Sequence, residues 1–407
     1  MTINVETDHP HGVAHVALFT CQHRPRGRDR PCDRFLSVYP SNRTDRENIP
    51  PVSVRTATYP RQCEDGCMTI SREWHLTRRP HGVPVDEDFA LVDVELPSPD
   101  DGEILVRNTF LSVDPYMRGR MNDAKSYVPA FQLDRPMDGA AVGIVEQVGD
   151  GAVDSNASPI AIGDTVTHGL GWRTRSLVHG KTARILNTSV APAQAYLGVL
   201  GMPGLTAYAG LLRIGELAEG DRVFVSAAAG AVGSLVGQLA RLKGASFVVG
   251  SAGGPDKTAW LRDEAGFNAA IDYKATPIRK GLAEAAPEGI DVYFDNVGGD
   301  HLEAAISALR PRGRVAICGM ISVYNATEPA PGPRNMPMII GKRLTLRGFI
   351  VFDHEDLRPA FEAEVGQWLA EGKIVWRETV VDGIDNAVNG FRDLLAGANI
   401  GKMLIRL

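Results

Sequence analysis

The stretch from Val223 to Gln238, VFVSAAAGAVGSLVGQ, constrains the fold more than any other part of the chain. A run of β-branched and aromatic residues stops at a turn of small residues, and a helical pattern with three spaced glycines follows. These glycines are Gly230, Gly233 and Gly237. The pattern is typical of the strand–turn–helix entrance of a dinucleotide-binding unit, where backbone N–H groups and the helix N-terminus receive a pyrophosphate. Ala228 stands where the usual fingerprint has its first glycine, so an ordinary βαβ turn packed by small residues is the alternative.

Residues 246–257, SFVVGSAGGPDK, indicate which dinucleotide binds. An NAD site usually carries Asp or Glu about 20 residues after the glycines, where the carboxylate accepts hydrogen bonds from the ribose 2′-OH. This chain has small residues there instead, and Lys257 offers a positive charge suited to a 2′-phosphate. Asp256 beside it argues against this unless it caps the next helix, and a solvated surface lysine is the alternative for Lys257. The pattern favours NADP(H) over NAD(H).

The composition is that of an ordinary globular chain: 407 residues, 44% hydrophobic and 23% charged, with a formal net charge of −6. That length suffices for two or three domains. The mild acidity gives no reason to expect nucleic acid or an anionic membrane surface as a partner. No apolar run reaches the roughly 18–20 residues that span a bilayer. Four of the five cysteines precede residue 68, which argues against a disulfide framework in the folded body and favours a cytoplasmic location.

The first 67 residues differ from the rest of the chain. They contain nine Arg, no Lys and seven Pro, without sustained hydrophobic periodicity, so they bury too little apolar surface to offset the entropy of ordering. The apolar residues 13–20 lack the preceding basic region of a signal peptide. Cys63 and Cys67, without further ligands, give little support for a metal site. We expect a disordered extension over 1–67, with Met68 as the start of the folded protein.

From Met68 onward, strand patterns dominate as far as residue 195 and then alternate with helices. Residues 89–111 read as a hairpin-like pair of strands, and we expect a β-rich domain over 68–195 that is completed by 369–407. The alternation of helices and strands predicts a doubly wound α/β domain over 196–368. Its predicted helices include 204–212, 235–242 and 301–309, and its predicted strands include 291–295 and 313–318, the last after a Pro-Arg-Gly breaker.

Six sequence motifs follow one another across residues 69–407. They are Leu111–Arg118 (LSVDPYMR), Gly201–Tyr208 (GMPGLTAY), Ala227–Ser234 (AAAGAVGS), Phe294–Gly299 (FDNVGG), Cys318–Asn325 (CGMISVYN) and Asn399–Lys402 (NIGK). In this order they resemble the medium-chain dehydrogenase/reductase superfamily, and in detail its zinc-free branch of leukotriene B4 12-hydroxydehydrogenase, prostaglandin reductase, plant double-bond reductases and curcumin reductases. The resemblance implies an α/β fold in which a Rossmann doubly wound parallel sheet is inserted into a β-rich, GroES-like catalytic domain.

The residue types after position 67 do not favour a catalytic metal. Zinc enzymes of this superfamily bind the metal through a thiolate together with His or Glu, whereas Cys318 is the only cysteine in this part of the sequence and no Cys/His cluster has ligand spacing. Oxidation of an alcohol is difficult without a Lewis acid. Conjugate reduction of an activated alkene needs only an oriented hydride donor, a hydrogen-bond donor to the forming enolate, and a proton.

The resemblance also implies roles for individual residues. It implies that Lys257 and Tyr273 contact the 2′-phosphate and that Tyr324 hydrogen-bonds the enolate, since a tyrosine with a pKa near ~10 is protonated at neutral pH. It places Tyr116 and Met117 on the substrate side of the cleft. The other implied cofactor contacts are Thr206, Ala228, Gly230, Ala231, Val232, Gly233, Gly253, Asn296, Cys318, Gly319, Phe349, Ile350 and Asn399. Structural alternatives stay open for most of them, such as a turn-forming role for Asn296 and simple pocket lining for Tyr324.

These observations predict an NADPH-dependent enzyme that reduces the C=C bond of α,β-unsaturated ketones or aldehydes. Hydride passes to the β-carbon, Tyr324 steadies the enolate, and the proton comes from Tyr324 or from water. A zinc-independent quinone reductase and a non-catalytic NADPH-binding protein are the alternatives. By resemblance we expect a homodimer, with residues 349–352 forming either an apolar wall of the cleft or a dimer edge.

Overall fold

The computed structural model describes residues 69–407, and the extension predicted for 1–67 lies outside them. The first part of this region consists of short strands and one short helix. The strands are β1 (Thr69–Leu76), β2 (Phe89–Leu96), β3 (Glu103–Ser112), β4 (Arg135–Pro136), β5 (Ala141–Val148), β6 (Thr165–His168), β7 (Arg175–His179) and β8 (Arg184–Ile185), and the helix is α1 (Tyr116–Arg120). They form a three-stranded sheet of order β2-β1-β4 and most of a seven-stranded sheet.

Strand β3 organises the larger of these two sheets. It pairs antiparallel with both β5 and β7, and its inward side chains Ile104 and Val106 pack with Val145, Val166 and Val178 in a buried cluster. The hairpin predicted over residues 89–111 is wrong, because β2 pairs with β1 while β3 belongs to the other sheet. The turn between them exists, but each strand finds its partners elsewhere in the chain.

The middle of the chain forms a six-stranded parallel sheet with helices packed against it. Its strands are β9 (Arg222–Val225), β10 (Phe247–Ala252), β11 (Ala269–Asp272), β12 (Ile290–Asp295), β13 (Leu309–Ile317) and β14 (Thr345–Gly348), and its helices are α2 (Met202–Ala209), α3 (Ala231–Leu242), α4 (Pro255–Asp263), α5 (Ile278–Ala285), α6 (Gly299–Ala308) and α7 (Pro337–Lys342). The strand order is β11-β10-β9-β12-β13-β14, so the chain adds strands toward one edge from β9 to β11 and toward the other edge from β12 to β14, and the switch point lies between β9 and β12. Ligands of such sheets bind at the carboxyl ends of the strands beside this switch point.

Helices cover both faces of this sheet, so its central strands are apolar throughout. Val223, Phe224 and Val225 of β9 are all fully buried, as the continuous apolar run in the sequence predicts for a parallel strand. The ring of Phe224 stacks on that of Tyr293 in β12, with centroids 4.8 Å apart. Gly237 of α3 is needed because a methyl group there would overlap the Phe267 ring.

The end of the chain returns to the first sheet. It contains α8 (Arg358–Ala370), β15 (Glu378–Asp382), α9 (Ala387–Leu395) and β16 (Lys402–Arg406). β16 runs parallel to β15 and antiparallel to β3, and Leu404 pairs with Ser112. The segment 378–406 therefore completes the seven-stranded sheet. Among the described residues, no helix combines the length and apolar character needed to cross a bilayer.

The Pro-Arg-Gly segment predicted to break the chain after α6 lies inside a strand. β13 begins at Leu309, directly after the helix, and continues through residues 311–313 to Ile317. Arg312 has a positive φ of 68°, and the pairing of β12 with β13 shifts register between Ile290 and Val292. The local sequence therefore produces a bulge rather than a break, because pairing with β12 on both sides of it holds the strand together.

Candidate active site

A cleft of about 1130 Å³ lies where the carboxyl ends of the parallel strands meet the β-rich part of the chain. The structure brings most of the residues singled out by sequence to its walls. These are Tyr116, Thr206, Gly230, Ala231, Val232, Gly233, Gly253, Lys257, Tyr273, Asn296, Cys318, Gly319, Tyr324, Phe349, Ile350 and Asn399. Two others do not reach it. Ala228 and Met117 are fully buried in separate apolar clusters.

The turn from β9 into α3 presents backbone N–H groups to the cleft. Gly230 is the residue before the helix and no side chain caps the helix start, so the N–H groups of Ala231, Val232 and Gly233 have no intrahelical partner. A methyl group at Gly233 would lie 2.5 Å from the carbonyl oxygen of Ala227, so the tight turn requires glycine there. The positive end of the α3 macrodipole and three uncapped amides together form an anion-binding surface.

Ala228 lies below this turn rather than on its surface. Its N–H donates to the carbonyl oxygen of Ser251 at 2.9 Å, and its side chain is fully buried. A methyl group fits here because Gly250 leaves room for it in the neighbouring strand, where an added Cβ would lie 2.6 Å from that of Ala228. The predicted cofactor contact of Ala228 is therefore not supported by its position, since its amide and its side chain both face the sheet.

Lys257 and Tyr273 line the far end of the cleft, on α4 and just after β11. The ammonium group of Lys257 donates to the carbonyl oxygen of Gly397 at 2.6 Å. Burial, and to a lesser extent the charge of Lys274, lowers the pKa of Lys257. Burial and Asp272 raise the pKa of Tyr273, so its hydroxyl stays protonated. Two cations and a phenol around one end of a cleft are suited to a phosphate group.

The lack of a side chain at Gly253 keeps this end of the cleft open. A methyl group at Gly253 would lie 2.8 Å from Cε of Lys274 and 3.1 Å from the Tyr273 hydroxyl, so a side chain there would displace both.

Helix α4 begins at Pro255 after Gly254, and no side chain caps it. The alternative in which Asp256 caps the helix is therefore wrong. Asp256 is exposed in the first turn, where its charge stabilises the helix end.

Tyr324 also lines the cleft, beyond the carboxyl end of β13. Its hydroxyl oxygen accepts a hydrogen bond from the N–H of Met320 at 3.3 Å, which leaves its O–H free to donate. Burial is the main reason that the pKa of Tyr324 is raised, despite the opposing hydrogen bond from Met320. A methyl group at Gly319 would lie 3.2 Å from this hydroxyl. Tyr324 is therefore a protonated phenol held over a glycine at the cleft surface.

Asn296 is fixed beside Tyr324 by a buried network under the sheet edge. Its side-chain amide donates to the carbonyl oxygen of Ser226 at 2.8 Å, and its N–H donates to Oγ of Ser226 at 2.9 Å. Asp295 accepts hydrogen bonds from Tyr293, at 2.6 Å, and from the N–H groups of Val297 and Gly298. The side-chain NH₂ group of Asn296 is thus used in the turn, and no hydrogen bond among the described residues reaches its Oδ1.

The remaining predicted residues form the roof and sides of the cleft. Thr206 of α2 donates its hydroxyl hydrogen to the carbonyl oxygen of Met202 at 2.8 Å, which is the local packing role that its sequence left open. Phe349 packs edge-on against Phe294, with ring centroids 6.3 Å apart. Asn399 donates through its side-chain amide to the carbonyl oxygen of Gly401 at 2.7 Å. Ile350 contributes an apolar surface after β14.

Tyr116 and Met117 have different surroundings although they are adjacent. Tyr116 lines the cleft, and burial together with Asp114 raises its pKa well above the usual value of a tyrosine, which keeps the hydroxyl protonated. Met117 points the other way and is fully buried, so that a methyl group added at Gly139 would overlap it. The substrate-side role predicted for Met117 is wrong as a surface contact, because the helix turns by about 100° per residue and places the Met117 side chain in the core against Gly139.

Sequence reasoning missed several polar residues that also line the cleft. They are Asp114, Arg120, Tyr127, His301 and Lys402. Asp114 and Lys402 lie inside two of the motifs, but nothing in a single sequence distinguishes a buried Lys from a solvated one. Tyr127 lies on a loop of the β-rich part, where burial, and to a lesser extent the nearby Tyr324, raises its pKa.

The described residues contain no group of three or more His, Cys, Asp or Glu side chains arranged to hold a metal ion. Cys318 is partly buried at the end of β13, and burial raises its pKa to about 12, with a smaller contribution from Asp295. A thiol in that state is a poor metal ligand and a poor nucleophile. Cys318 is therefore not a candidate for metal binding or nucleophilic catalysis in the cleft.

Comparison with known proteins places the chain in a family. One family model, described as the N-terminal domain of oxidoreductase, matches residues 72–186, and one described as zinc-binding dehydrogenase matches 231–365. The chain is 46% identical over 344 residues to the putative NADP-dependent oxidoreductase YfmJ of Bacillus subtilis, covering 84% of this chain and 99% of that protein. It is 42% identical over 342 residues to the NADPH-dependent curcumin reductase of Escherichia coli, covering 83% and 97%. The chain belongs to the zinc-independent medium-chain dehydrogenase/reductase superfamily.

Solved structures agree with this assignment. The crystal structure of CurA from Vibrio vulnificus in complex with NADPH matches with a TM-score of 0.76 and 42% identity, covering 82% of this chain and 98% of that one. A quinone oxidoreductase of Escherichia coli matches with a TM-score of 0.65 at 23% identity and therefore shares the fold. The predicted family and the predicted fold, a parallel Rossmann sheet with a separate β-rich domain, are confirmed.

Proposed function

We propose that this protein is an NADPH-dependent reductase of the C=C bond in α,β-unsaturated ketones and aldehydes. The observation that carries the proposal is that one cleft is lined by a protonated, partly buried Tyr324, by the uncapped α3 amides, and by Lys257 together with Tyr273. The named relatives support the class of reaction, since they include an NADPH-dependent curcumin reductase, a prostaglandin reductase 1 of Bos taurus at 43% identity, and a 2-alkenal reductase of Nicotiana tabacum at 38%.

The cleft fits NADP(H) better than NAD(H). The α3 amides are placed for a pyrophosphate, and no carboxylate among the residues lining the cleft lies at the end of β10, where an NAD site needs one. The space kept open by Gly253 lies between Tyr273 and Lys274, and Lys257 supplies a further positive charge. We assign Lys257 and Tyr273 to the 2′-phosphate and the turn residues Gly230–Gly233 to the pyrophosphate.

The reaction needs few groups from the protein. When bound, NADPH supplies the hydride that is added to the β-carbon. Tyr324 donates its O–H to the carbonyl oxygen of the substrate, and this hydrogen bond strengthens as negative charge develops on that oxygen in the transition state. The raised pKa of Tyr324 keeps the proton in place until it is needed. Tyr324, or a water molecule in the cleft, then protonates the α-carbon.

The experiment measures NADPH consumption by absorbance with a medium-chain enone, an enal and a simple quinone offered separately, with NADH in parallel. We expect NADPH-selective turnover of the enone or enal that yields the saturated product. Turnover of the quinone alone would identify a quinone reductase. Tight NADPH binding without turnover of any of the three would indicate a binding protein and refute the proposal.

Tyr324→Phe tests the residue assignment within that assay. Removing a donor to a developing oxyanion lowers turnover by about 10²–10³-fold, and we expect NADPH affinity to change little. Tyr196→Phe is the matched control, because Tyr196 also lines the cleft but donates its hydroxyl hydrogen to the carbonyl oxygen of Asn187 at 2.8 Å. Equal turnover in the Tyr324 variant and the wild type would reduce Tyr324 to a pocket-lining side chain.

We also propose that the protein forms a homodimer through the free edge of the parallel sheet. β14 is the last strand of that sheet within the described residues, and Ile340 and Phe352 near it are 80% and 62% exposed. An unpaired edge beside large exposed apolar side chains favours pairing with a second copy. Sedimentation equilibrium distinguishes the dimer from a monomer. A cytoplasmic location stays a prediction.

A further inference from the structure

A buried ion pair lines the cleft beside the backbone that leads to Tyr116. Nζ of Lys402 lies 3.2 Å from Oδ1 of Asp114, and both residues are about 95% buried. Lys402 also donates to the carbonyl oxygens of Val113 at 2.8 Å and Met403 at 2.9 Å. The other carboxylate oxygen of Asp114 accepts a hydrogen bond from Ser112. All three donors of Lys402 are therefore used, and the ammonium group has no room for another partner.

Stability alone does not explain why two charges are buried at this place. Removing two ions from water is so unfavourable that a well-packed apolar pair of similar size often serves the fold equally well. The ion pair instead connects two elements of the fold. It joins β16 to the loop that follows β3, just beyond the strand pairing that runs from Leu404 and Ser112 to Arg406 and Phe110.

Each partner of the ion pair is attached to a different part of the cleft. On one side, the N–H of Met117 donates to the carbonyl oxygen of Asp114 at 3.1 Å and closes the first turn of α1, where Tyr116 lines the cleft. On the other side, the N–H of Gly401 donates to the carbonyl oxygen of Ala229 at 2.7 Å, which attaches the residue before Lys402 to the nucleotide turn. A chain of direct bonds thus runs from the cofactor turn to Tyr116.

Gly401 is required for the cofactor side of this connection. Its φ is +70°, and a side chain there would overlap the carbonyl group of Arg377. The Tyr116 hydroxyl makes no hydrogen bond to the described residues, which leaves it free for a substrate oxygen, and its position depends on the backbone at 113–116. We propose that Asp114 and Lys402 are positioning residues that hold Tyr116 at the substrate wall in register with the cofactor turn. This inference rests on the proposed function.

The test replaces the pair with uncharged residues of similar size, Asp114→Asn together with Lys402→Met. A saturated medium-chain ketone, the product of enone reduction, is titrated calorimetrically into the full-length protein with NADP⁺ bound, and NADP⁺ affinity and Tm are measured separately. Loss of one hydrogen bond between neutral groups weakens binding by about 2- to 13-fold. We expect ketone binding to weaken by about 3- to 13-fold while NADP⁺ affinity changes less than about twofold and the folded protein persists.

The matched control is the ion pair between Lys243 and Glu364, 2.7 Å apart and outside the cleft lining. Lys243→Met with Glu364→Gln should leave ketone binding unchanged. If the double variant of the buried pair does not fold, Asp114→Asn alone is used, because it preserves the shape and an acceptor for Ser112. Wild-type ketone affinity in a folded variant refutes the positioning role. A wild-type protein that neither reduces the enone nor binds the ketone refutes the proposed function, and the positioning role with it.

Discussion

Replacing Lys257 with methionine is the sharpest test of the cofactor assignment. Methionine keeps much of the apolar stem but removes the ammonium group, which lies half-buried at the end of the cleft and donates to the Gly397 carbonyl oxygen at 2.6 Å. The lowered pKa of Lys257, caused by burial and then by Lys274, shows that a positive charge is disfavoured there while no anion is present. A dianionic 2′-phosphate would reverse that imbalance, whereas the 2′-hydroxyl of NADH would not.

The magnitude follows from the kind of contact. A hydrogen bond to a charged group contributes about 1.5–3 kcal/mol, and each 1.4 kcal/mol corresponds to about tenfold in affinity, so its loss weakens binding by about 10- to 150-fold. Two features favour the lower part of that range. Lys257 gives up its bond to Gly397 when it turns to the phosphate, and Lys274 remains nearby in the variant. We therefore expect Kd for NADPH to rise about 10- to 30-fold.

The assay is a titration of each variant with NADPH and with NADH, followed by nicotinamide fluorescence at low and at moderate salt. Lys280→Met is the matched control. Lys280 lies on α5 with its side chain 69% exposed, and within residues 69–407 its ammonium group forms an ion pair only with Glu284, four residues away. The Lys280 substitution should change neither the affinity for NADPH nor the affinity for NADH. We expect the Lys257 variant to lose NADPH affinity and to keep that for NADH within about twofold.

Equal weakening for NADPH and NADH would refute the reasoning, because a contact to the 2′-phosphate cannot act on a cofactor that lacks it. Unchanged NADPH affinity would also refute it and would leave Lys257 as a structural residue that holds the Gly397 carbonyl. Loss of the salt dependence of NADPH binding in the variant, alongside the loss of affinity, would support a charge–charge contact.

Two further predictions concern stability. Gly237→Ala should lower the free energy of unfolding by about 1–3 kcal/mol in urea titration, because the added methyl group overlaps Phe267. Gly366→Ala in α8 is the control, and it should raise the free energy of unfolding by about 0.5–1 kcal/mol, because nothing lies within 4 Å of the added methyl group. The opposite order of the two effects would contradict the packing described. Burial lowers the pKa of His168 to about 3 in the folded protein. The stability that the neutral imidazole contributes is therefore complete above its unfolded pKa of about 6.5. As the pH falls from about 6.5 toward 3, the free energy of unfolding decreases by about 1.4 kcal/mol per pH unit. His168→Gln should flatten that slope, and an unchanged slope would show that another group carries it.

The cofactor turn could be predicted from sequence because its determinants are local. A strand, a turn of small residues and a helix occupy adjacent positions, and Gly233 is required by a carbonyl group only six residues before it in the same turn, that of Ala227. The same holds for the lack of a carboxylate after β10. These features depend on backbone geometry within one βαβ unit, so a single sequence contains most of the information.

Contacts between segments far apart in the chain could not be predicted from the sequence. Lys402 bonds to the carbonyl oxygen of Val113, 289 residues away, and a lysine in a strand at the end of a chain ordinarily indicates a solvated position. Met117 is fully buried whereas Tyr116 is partly buried and lines the cleft, which depends on how α1 packs against Gly139. The bulge at Arg312 likewise depends on pairing with β12 rather than on the turn-forming residues themselves.

The position of β16 determines when the substrate wall can exist during synthesis. β16 lies between β15 and β3, so the end of β3 near Ser112 has no neighbour on that side until Leu404 has been made. The parallel sheet between residues 222 and 348 is complete in sequence long before that. A domain that begins first is therefore finished last, after the domain inserted within it. Because Lys402 and Met403 also line the cleft, a growing chain can present its nucleotide turn well before it has anywhere to hold a substrate.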